Sequence, residues 1–159
     1  SPTSAIFDLS NKIPFCAEFW TYGFTALDHT FTTRNAAVYC PFEVRGTGTG
    51  TMYGFVGDAT LTGWQTTGLG TGGTSIPAAS WNHIAIVGDG TTIKLYLNGV
   101  QYGTSSPHPS WPVGARTFYI GRGGDGFASG NSYIDEVCVS IGDPVYTANF
   151  TPPTLPFTT

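Results

Sequence analysis

Charge is the first thing this sequence is short of. Only 10% of its 159 residues are Asp, Glu, Lys or Arg. The six basic ones, Lys12, Arg34, Arg45, Lys94, Arg116 and Arg122, form no cluster. A chain that neutralises a row of phosphates needs clustered cations, so nucleic acid is not the expected partner. A net charge of −4 points the same way. No stretch approaches the roughly 18 apolar residues of a membrane-spanning helix, and no signal peptide is visible. The chain opens on Ser1 rather than Met, as expected of a piece processed or excised from something larger. Cysteine is scarce too. Cys16, Cys40 and Cys138 are an odd set with no CxxC, whereas secreted disulfide scaffolds usually carry an even one. Free thiols are the expectation, with one pair between neighbouring strands as the alternative. His29, His83 and His108 share no ligand spacing, which argues against zinc.

Amphipathic helical patterns are also missing. What is abundant is Gly (22), Pro (11) and aromatic residues (14%). That composition suits short strands joined by tight turns. The aromatics run the whole length of the chain, which argues for a packed core rather than low complexity. By length the chain is one domain, 1–159, with room for a substantial core.

The run WNHIAIVGDGTTIKLYLNGVQYG, Trp81 to Gly103, is the clearest local signal. Asp89-Gly90 and Asn98-Gly99 favour the positive φ of type I′ hairpin turns. Between them Ile93, Leu95 and Leu97 alternate with Lys94, Tyr96 and Asn98, the period of a strand with one buried face. Further strands are expected at 5–9, 14–23, 35–45 and 51–56, then at 116–120 and 132–140, with a short one at 144–146. Pro41 demotes the middle of its segment to an edge or bulge. Residues 61–75, rich in Gly and Thr around Trp64, read as a long loop with a poorly formed strand. Residues 105–114 read as a Pro-rich loop around Trp111. Residues 1–4 are a short lead-in, and 151–159 a Pro-rich tail. Many short strands with regular turn signals predict an all-β antiparallel sandwich.

In order, the segments FCAEFW, WNHIAIV with DG and TIKLYLNG, FYIGRG, SYIDEVCVS and VYTANFTPPTLPF resemble the laminin-G-like, concanavalin A-like lectin/glucanase superfamily. The resemblance spans nearly the whole chain, and its C-terminal half is the specific part. The ending is similar to those of such domains in bacteriophage virion proteins. A jelly roll of two curved antiparallel sheets is implied, with ligands held on a concave face or at rim loops. The segment IFDLSNKI stands in for a longer opening pair of strands.

Glucanases of this superfamily carry carboxylates at a spacing like ExDxxE, so that acid and nucleophile flank the scissile bond. Here Glu18, Glu43 and Glu136 stand alone, and adjacent Asp135 and Glu136 point to opposite faces of a strand. No enzyme is expected. Gly68-x-Gly70-x-x-Gly73 matches a dinucleotide fingerprint by letter but lacks its strand, helix and acidic residue. A Gly/Thr loop is the plain reading. His83 reads as structural.

The resemblance also implies a calcium ion at a rim. Hard cations want several oxygens around one point. Asp125 and Asp135 are the first candidates, with Asp58, Asp89 and Asp143 behind them. The competing reading makes Asp89 a turn residue and Asp135 a loop cap. For glycan stacking the candidates are Trp64, Trp111, Tyr22, Tyr53 and Phe127, in or near loops, while Trp20 and Trp81 read as strand packing. Asn149-Phe150-Thr151 is a formal glycosylation sequon. The implied function is a non-catalytic adhesion module on a phage tail or capsid that binds host-surface or environmental glycans. Its protein partners would be other virion chains or copies of itself. A purely structural decoration or assembly domain is the alternative, with an extracellular or cell-surface location as the alternative site. A glycoside hydrolase comes last.

Overall fold

Two tight turns set the geometry of the sheet from which the site is built. A computed structural model describes residues 3–4, 8–23, 29–32, 39–46, 50–71, 73–113, 116–121 and 132–154. In it Asn98 and Gly99 have φ of 50° and 78°, as the expected type I′ turn requires, whereas at Asp89-Gly90 only Gly90, at 86°, has positive φ, so that turn is not type I′. The strands are β1 (Thr3–Ser4), β2 (Phe15–Tyr22), β3 (His29–Thr32), β4 (Phe42–Gly46), β5 (Met52–Gly57), β6 (Trp64–Leu69), β7 (Trp81–Gly88), β8 (Thr92–Leu97), β9 (Val100–Gln101), β10 (Ser106–Pro107), β11 (Arg116–Thr117), β12 (Tyr119–Ile120) and β13 (Tyr133–Ile141). One sheet has the order β10-β8-β7-β2-β13, with β9 also paired to β8; the other runs β12-β3-β4-β5-β6. All pairings are antiparallel. The fold is the expected antiparallel jelly-roll sandwich.

Alternation builds the core. Phe15, Ala17 and Phe19 of β2, Ile84 and Ile86 of β7, and Ile93 and Leu95 of β8 face Phe42 and Val44 of β4 and Met52 and Val56 of β5. Phe15 stacks on Phe42 across the two sheets, with ring centroids 4.9 Å apart and planes 5° apart. Each fully buried Phe contributes roughly 1.5–3 kcal/mol of transfer free energy.

Several elements depart from the expectation. The 61–75 segment contains a real strand, β6, which follows β5 through two register irregularities. The predicted 116–120 strand is split: β11 pairs with β1 and β12 with β3. Phe118, between them, packs on the core. The lead-in therefore contributes a strand at Thr3–Ser4, and the described part of 5–9 is not strand. The β4 ladder begins only after Pro41, whose carbonyl accepts from Gly57 N at 3.0 Å. Residues 144–146 form no strand. The glycine fingerprint is a packing feature: a side chain at Gly73 would run into the Tyr102 ring. The Tyr102 hydroxyl donates to Thr74 O at 2.7 Å beside it.

Candidate functional site

The outer face of the six-stranded sheet divides into an open half and a covered half. β2 turns Cys16, Glu18, Trp20 and Tyr22 away from the core. In register, Tyr22 pairs with Trp81 on one side and Tyr133 on the other, and Trp20 with His83 and Asp135. The first trio is a row of rings across three strands. Tyr22 lies 5.8 Å from Trp81 and 6.3 Å from Tyr133, centroid to centroid. Two interstrand spacings of about 4.8 Å give the row a span of roughly 10 Å. Trp81 is 47% exposed and Tyr133 is 68% exposed. Sequence placed Trp81 among the packing residues; the structure places it at the start of β7, on the solvent side of the sheet.

The other half of this face is roofed by residues 142–154. Tyr146 and Phe150 pack on Cys16, Ala85, Val87 and Tyr96, and their own rings stack at 3.5 Å. Backbone contacts tie this strap down: Gly142 N donates to Pro14 O at 2.7 Å and Phe150 N to Gly99 O at 2.8 Å. Asn149 Oδ1, in the formal sequon, accepts from Gln101 N at 3.0 Å. Beneath the strap Glu18 Oε2 accepts from the Tyr146 hydroxyl at 2.8 Å and meets His83 Nε2 at 3.0 Å. Glu18 is thus not alone, as the sequence suggested. His83 is structural as expected, fully buried, with Trp20 and Phe150 against its ring. Burial pushes the Cys16 thiol well above its ordinary pKa, with help from Glu18. Burial also raises Tyr146, helped by the hydrogen bond it gives Glu18. Cys16 and Cys138 are free thiols, and Cys40 Sγ donates to Phe42 O at 3.1 Å.

The outer face of the five-stranded sheet carries Glu43 and Arg45 of β4 opposite Phe55 and Tyr53 of β5. The Arg45 guanidinium lies 3.9 Å above the Phe55 ring. Trp64 packs against the same ring at 5.3 Å and against Tyr39 at 5.1 Å. Trp64 and Tyr53 are both half-buried.

Four of the described aspartates accept hydrogen bonds from residues close to them in the chain. Asp89 Oδ1 accepts from Thr91 N at 2.8 Å and Thr92 N at 2.7 Å, closing its turn. Burial would raise its pKa, but these hydrogen bonds prevail and lower it. Asp58 accepts from the Thr60 hydroxyl at 2.8 Å and from Thr62 N at 3.1 Å. The Thr60 hydroxyl is the main cause of its lowered pKa. Asp135 accepts from Glu136 N at 2.9 Å, and Asp143 from Val145 N at 2.9 Å. No group of three His, Cys, Asp or Glu among the described residues is placed to hold a metal ion. Asp58, Asp89, Asp135 and Asp143 are thus not gathered with other ligand groups among the described residues. Asp125 and Phe127 lie outside the described residues.

Trp111 requires a correction. It is 1% exposed, and its Nε1 donates to Gly57 O at 3.1 Å. The Pro-rich loop folds it back as a lid on the core edge, leaving no ring face for a ligand. His108 sits against it at 5.0 Å. Burial holds this imidazole down to a pKa of about 4, and its Nδ1 accepts from Gly90 N at 3.1 Å. Of the five aromatic candidates, Tyr22 reaches the six-stranded face while Tyr53 and Trp64 reach the other. Sequence reasoning missed Trp81, Tyr133 and Arg45. The signal available for the first two was their place at strand starts, in phase with the outward residues.

Two antiparallel sheets packed face to face, with aromatic rings presented outward, define a lectin-type sandwich. The chain belongs to the concanavalin A-like lectin/glucanases superfamily, whose family model matches residues 4–141. The strap therefore lies beyond the matched domain. No curated protein sequence matches the chain. Among solved structures, domain 4 of AbnA, a GH43 extracellular arabinanase from Geobacillus stearothermophilus in complex with arabinotriose, is 20% identical with a TM-score of 0.60. That match covers 87% of this chain and 66% of the other. A Trypanosoma rangeli sialidase is 11% identical with a TM-score of 0.57, over 80% of this chain and 20% of its own. The heptameric SAP-like pentraxin of Limulus polyphemus is 13% identical with a TM-score of 0.54, over 79% and 63%. The chain spans less than two thirds of each of these structures, and at such identities the likeness is one of fold.

Proposed function

We propose that this chain is a non-catalytic carbohydrate-binding module and that the Trp81–Tyr22–Tyr133 row is its binding platform. The observation that carries the reading is the register: three rings on adjacent strands share one row, and the two outer ones are exposed. The C–H faces of a sugar stack on such rings, and neighbouring polar groups take its hydroxyls. Asp135, one step along β13, supplies an exposed carboxylate. The platform is long enough for about two sugar rings across its roughly 10 Å. The burial of Glu18 and Glu43 supports the non-catalytic reading, since neither carboxylate meets solvent. The arabinanase domain bound to arabinotriose supports the same assignment by analogy of fold.

Display on an extracellular or cell surface suits a module of this kind. Placement on a phage particle rests on the sequence resemblance of the tail alone. A second reading, a structural assembly domain, is favoured by the exposed Val113 and Val100. A glycan array with and without EDTA, run on the wild type and on the Trp81→Ala/Tyr133→Ala double variant, tests the reading. Binding that resists EDTA and falls by about tenfold or more in the double variant is expected. Silence across the array, with self-association in sedimentation, would transfer the assignment to assembly. Release of reducing sugar would overturn the non-catalytic part.

A further inference from the structure

We propose that the outer face of the five-stranded sheet is a second, separate site, one that takes the carboxylate of an acidic sugar on Arg45 with Trp64 as its stacking surface. The inference rests on the carbohydrate-binding reading and deepens it by naming a substrate class. Its starting point is the state of Arg45. A guanidinium carries five N–H donors in a planar fork. Among the described residues the Arg45 guanidinium donates no hydrogen bond. It is held instead by stacking 3.9 Å over Phe55 and by Glu43 at 4.0 Å, beyond hydrogen-bond reach.

That arrangement orients the fork without using it. The Arg45 side chain is 36% exposed while that of Glu43 is 2% exposed. The countercharge therefore lies on the sheet side, and part of the cation faces solvent. A carboxylate is the ligand whose two oxygens match the fork. Phe55 fixes the plane at little entropic cost, because a cation over a ring face is already favourable.

The second component is Trp64, packed 5.3 Å from the same Phe55 ring. Arg45 and Trp64 thus flank one residue, close enough for a single sugar to stack on the indole and reach the guanidinium. Tyr53, the register partner of Arg45, borders the site on β5. The chemistry differs from that of the Trp81–Tyr22–Tyr133 row, which has an exposed carboxylate beside it and no cation among its members. In a chain of net charge −4, a single arginine gives no general attraction for anions. Selectivity for a carboxylate then comes from geometry.

The test uses two acidic probes, tri-galacturonic acid and sialyllactose, each beside its methyl ester as the neutral match. Binding is followed by amide and arginine Nε–H chemical shifts in the intact chain. At least one acid is expected to bind about tenfold more tightly than its ester. Arg45→Gln should lose that preference, Arg45→Lys should fail to restore it because an ammonium cannot offer the fork, and Trp64→Ala should weaken acid and ester alike. The Trp81→Ala/Tyr133→Ala variant should keep the acid binding, which separates this site from the first one. Equal binding of acid and ester, no binding of either acid, or an unchanged preference in Arg45→Gln would overturn the proposal. Loss of acid binding in the Trp81→Ala/Tyr133→Ala variant would also overturn it and assign the carboxylate to the other face. If Arg45→Gln does not fold, Arg45→Lys keeps the charge and the stem, and its preference decides the matter alone.

Discussion

The two outward faces of this sandwich obey the same alternation rule but are finished differently. On the six-stranded sheet the outward residues of β2 are Cys16, Glu18, Trp20 and Tyr22, and the C-terminal strap buries the first two. On the five-stranded sheet Glu43 is buried too, yet Arg45 rides on Phe55 toward solvent. Alternation decides which side chains leave the core. It does not decide whether they meet water. That depends on what the rest of the chain lays over them, and the strap lies beyond the residues that match the family.

The largest way to break this contrast is to unseat the strap. Gly99 has φ of 78°, and a side chain there would run into the Phe150 carbonyl oxygen. Gly99→Ala therefore carries backbone strain of about 1–3 kcal/mol. It also displaces the apolar cover over Tyr96, for about 1–2 kcal/mol more. The urea midpoint should fall, and in a Cys138→Ser background the Cys16 thiol should become reactive toward dithiodipyridine. A Gly99→Ala chain that keeps Cys16 unreactive would mean that the strap is seated by something other than this turn.

A pH scan sharpens the contrast from inside. His108 belongs to neither outer face; its ring lies against Phe15 and Trp111 at the core edge. The folded chain holds it neutral with a pKa of about 4, against an ordinary 6.5. The unfolded chain therefore takes up a proton first as pH falls. The stability due to neutral His108 is complete above pH 6.5 and is lost progressively down to about pH 4. The loss amounts to about 3 kcal/mol at most. His108→Asn, whose side-chain oxygen can still accept from Gly90 N, should flatten urea midpoints across that range. Because the loss acts on the shared core, the strap should not open ahead of the rest, and Cys16 should gain reactivity only as the whole chain unfolds.

These residues also mark what was legible in the sequence. The sandwich was, because the Asn98-Gly99 turn and the Ile93–Leu95–Leu97 alternation are local signals that tertiary context had no reason to override; Asp89-Gly90 marked the place of a turn but not its type. The site was legible only in part. Tyr22 is in phase with the outward residues of β2, but its partnership with Trp81 and Tyr133 depends on the registers of β7 and β13, which no short window contains. Trp111 failed for the opposite reason. A Trp between prolines looks like a loop residue in either case, and only the Gly57 carbonyl waiting at its indole nitrogen distinguishes lid from platform. Glu18 seemed solitary because its partners, His83 and Tyr146, lie far along the chain.

That last trio gives the subtlest test of the two faces. The Tyr146 hydroxyl donates to a carboxylate that is almost fully buried. Tyr146→Phe keeps the ring and its stack on Phe150 and removes only the donor. Glu18 Oε2 then keeps His83 as a partner but loses one of its two hydrogen bonds, a cost of about 1–2 kcal/mol within the range for a buried polar group left short of partners. The effect should appear as local opening before global unfolding. In a Cys138→Ser background, Cys16 should react measurably faster in Tyr146→Phe, with a urea midpoint only slightly lower. The alkaline limb should change as well. Tyr146 has a raised pKa in the folded chain, so its contribution is complete below the ordinary tyrosine value of about 10. That contribution is lost as pH climbs toward the folded value. The variant should lose less stability than the wild type above about pH 10. Equal alkaline sensitivity in the two chains would mean that the hydroxyl does not hold the strap. The six-stranded face would then be closed by the stacked rings of Tyr146 and Phe150 alone.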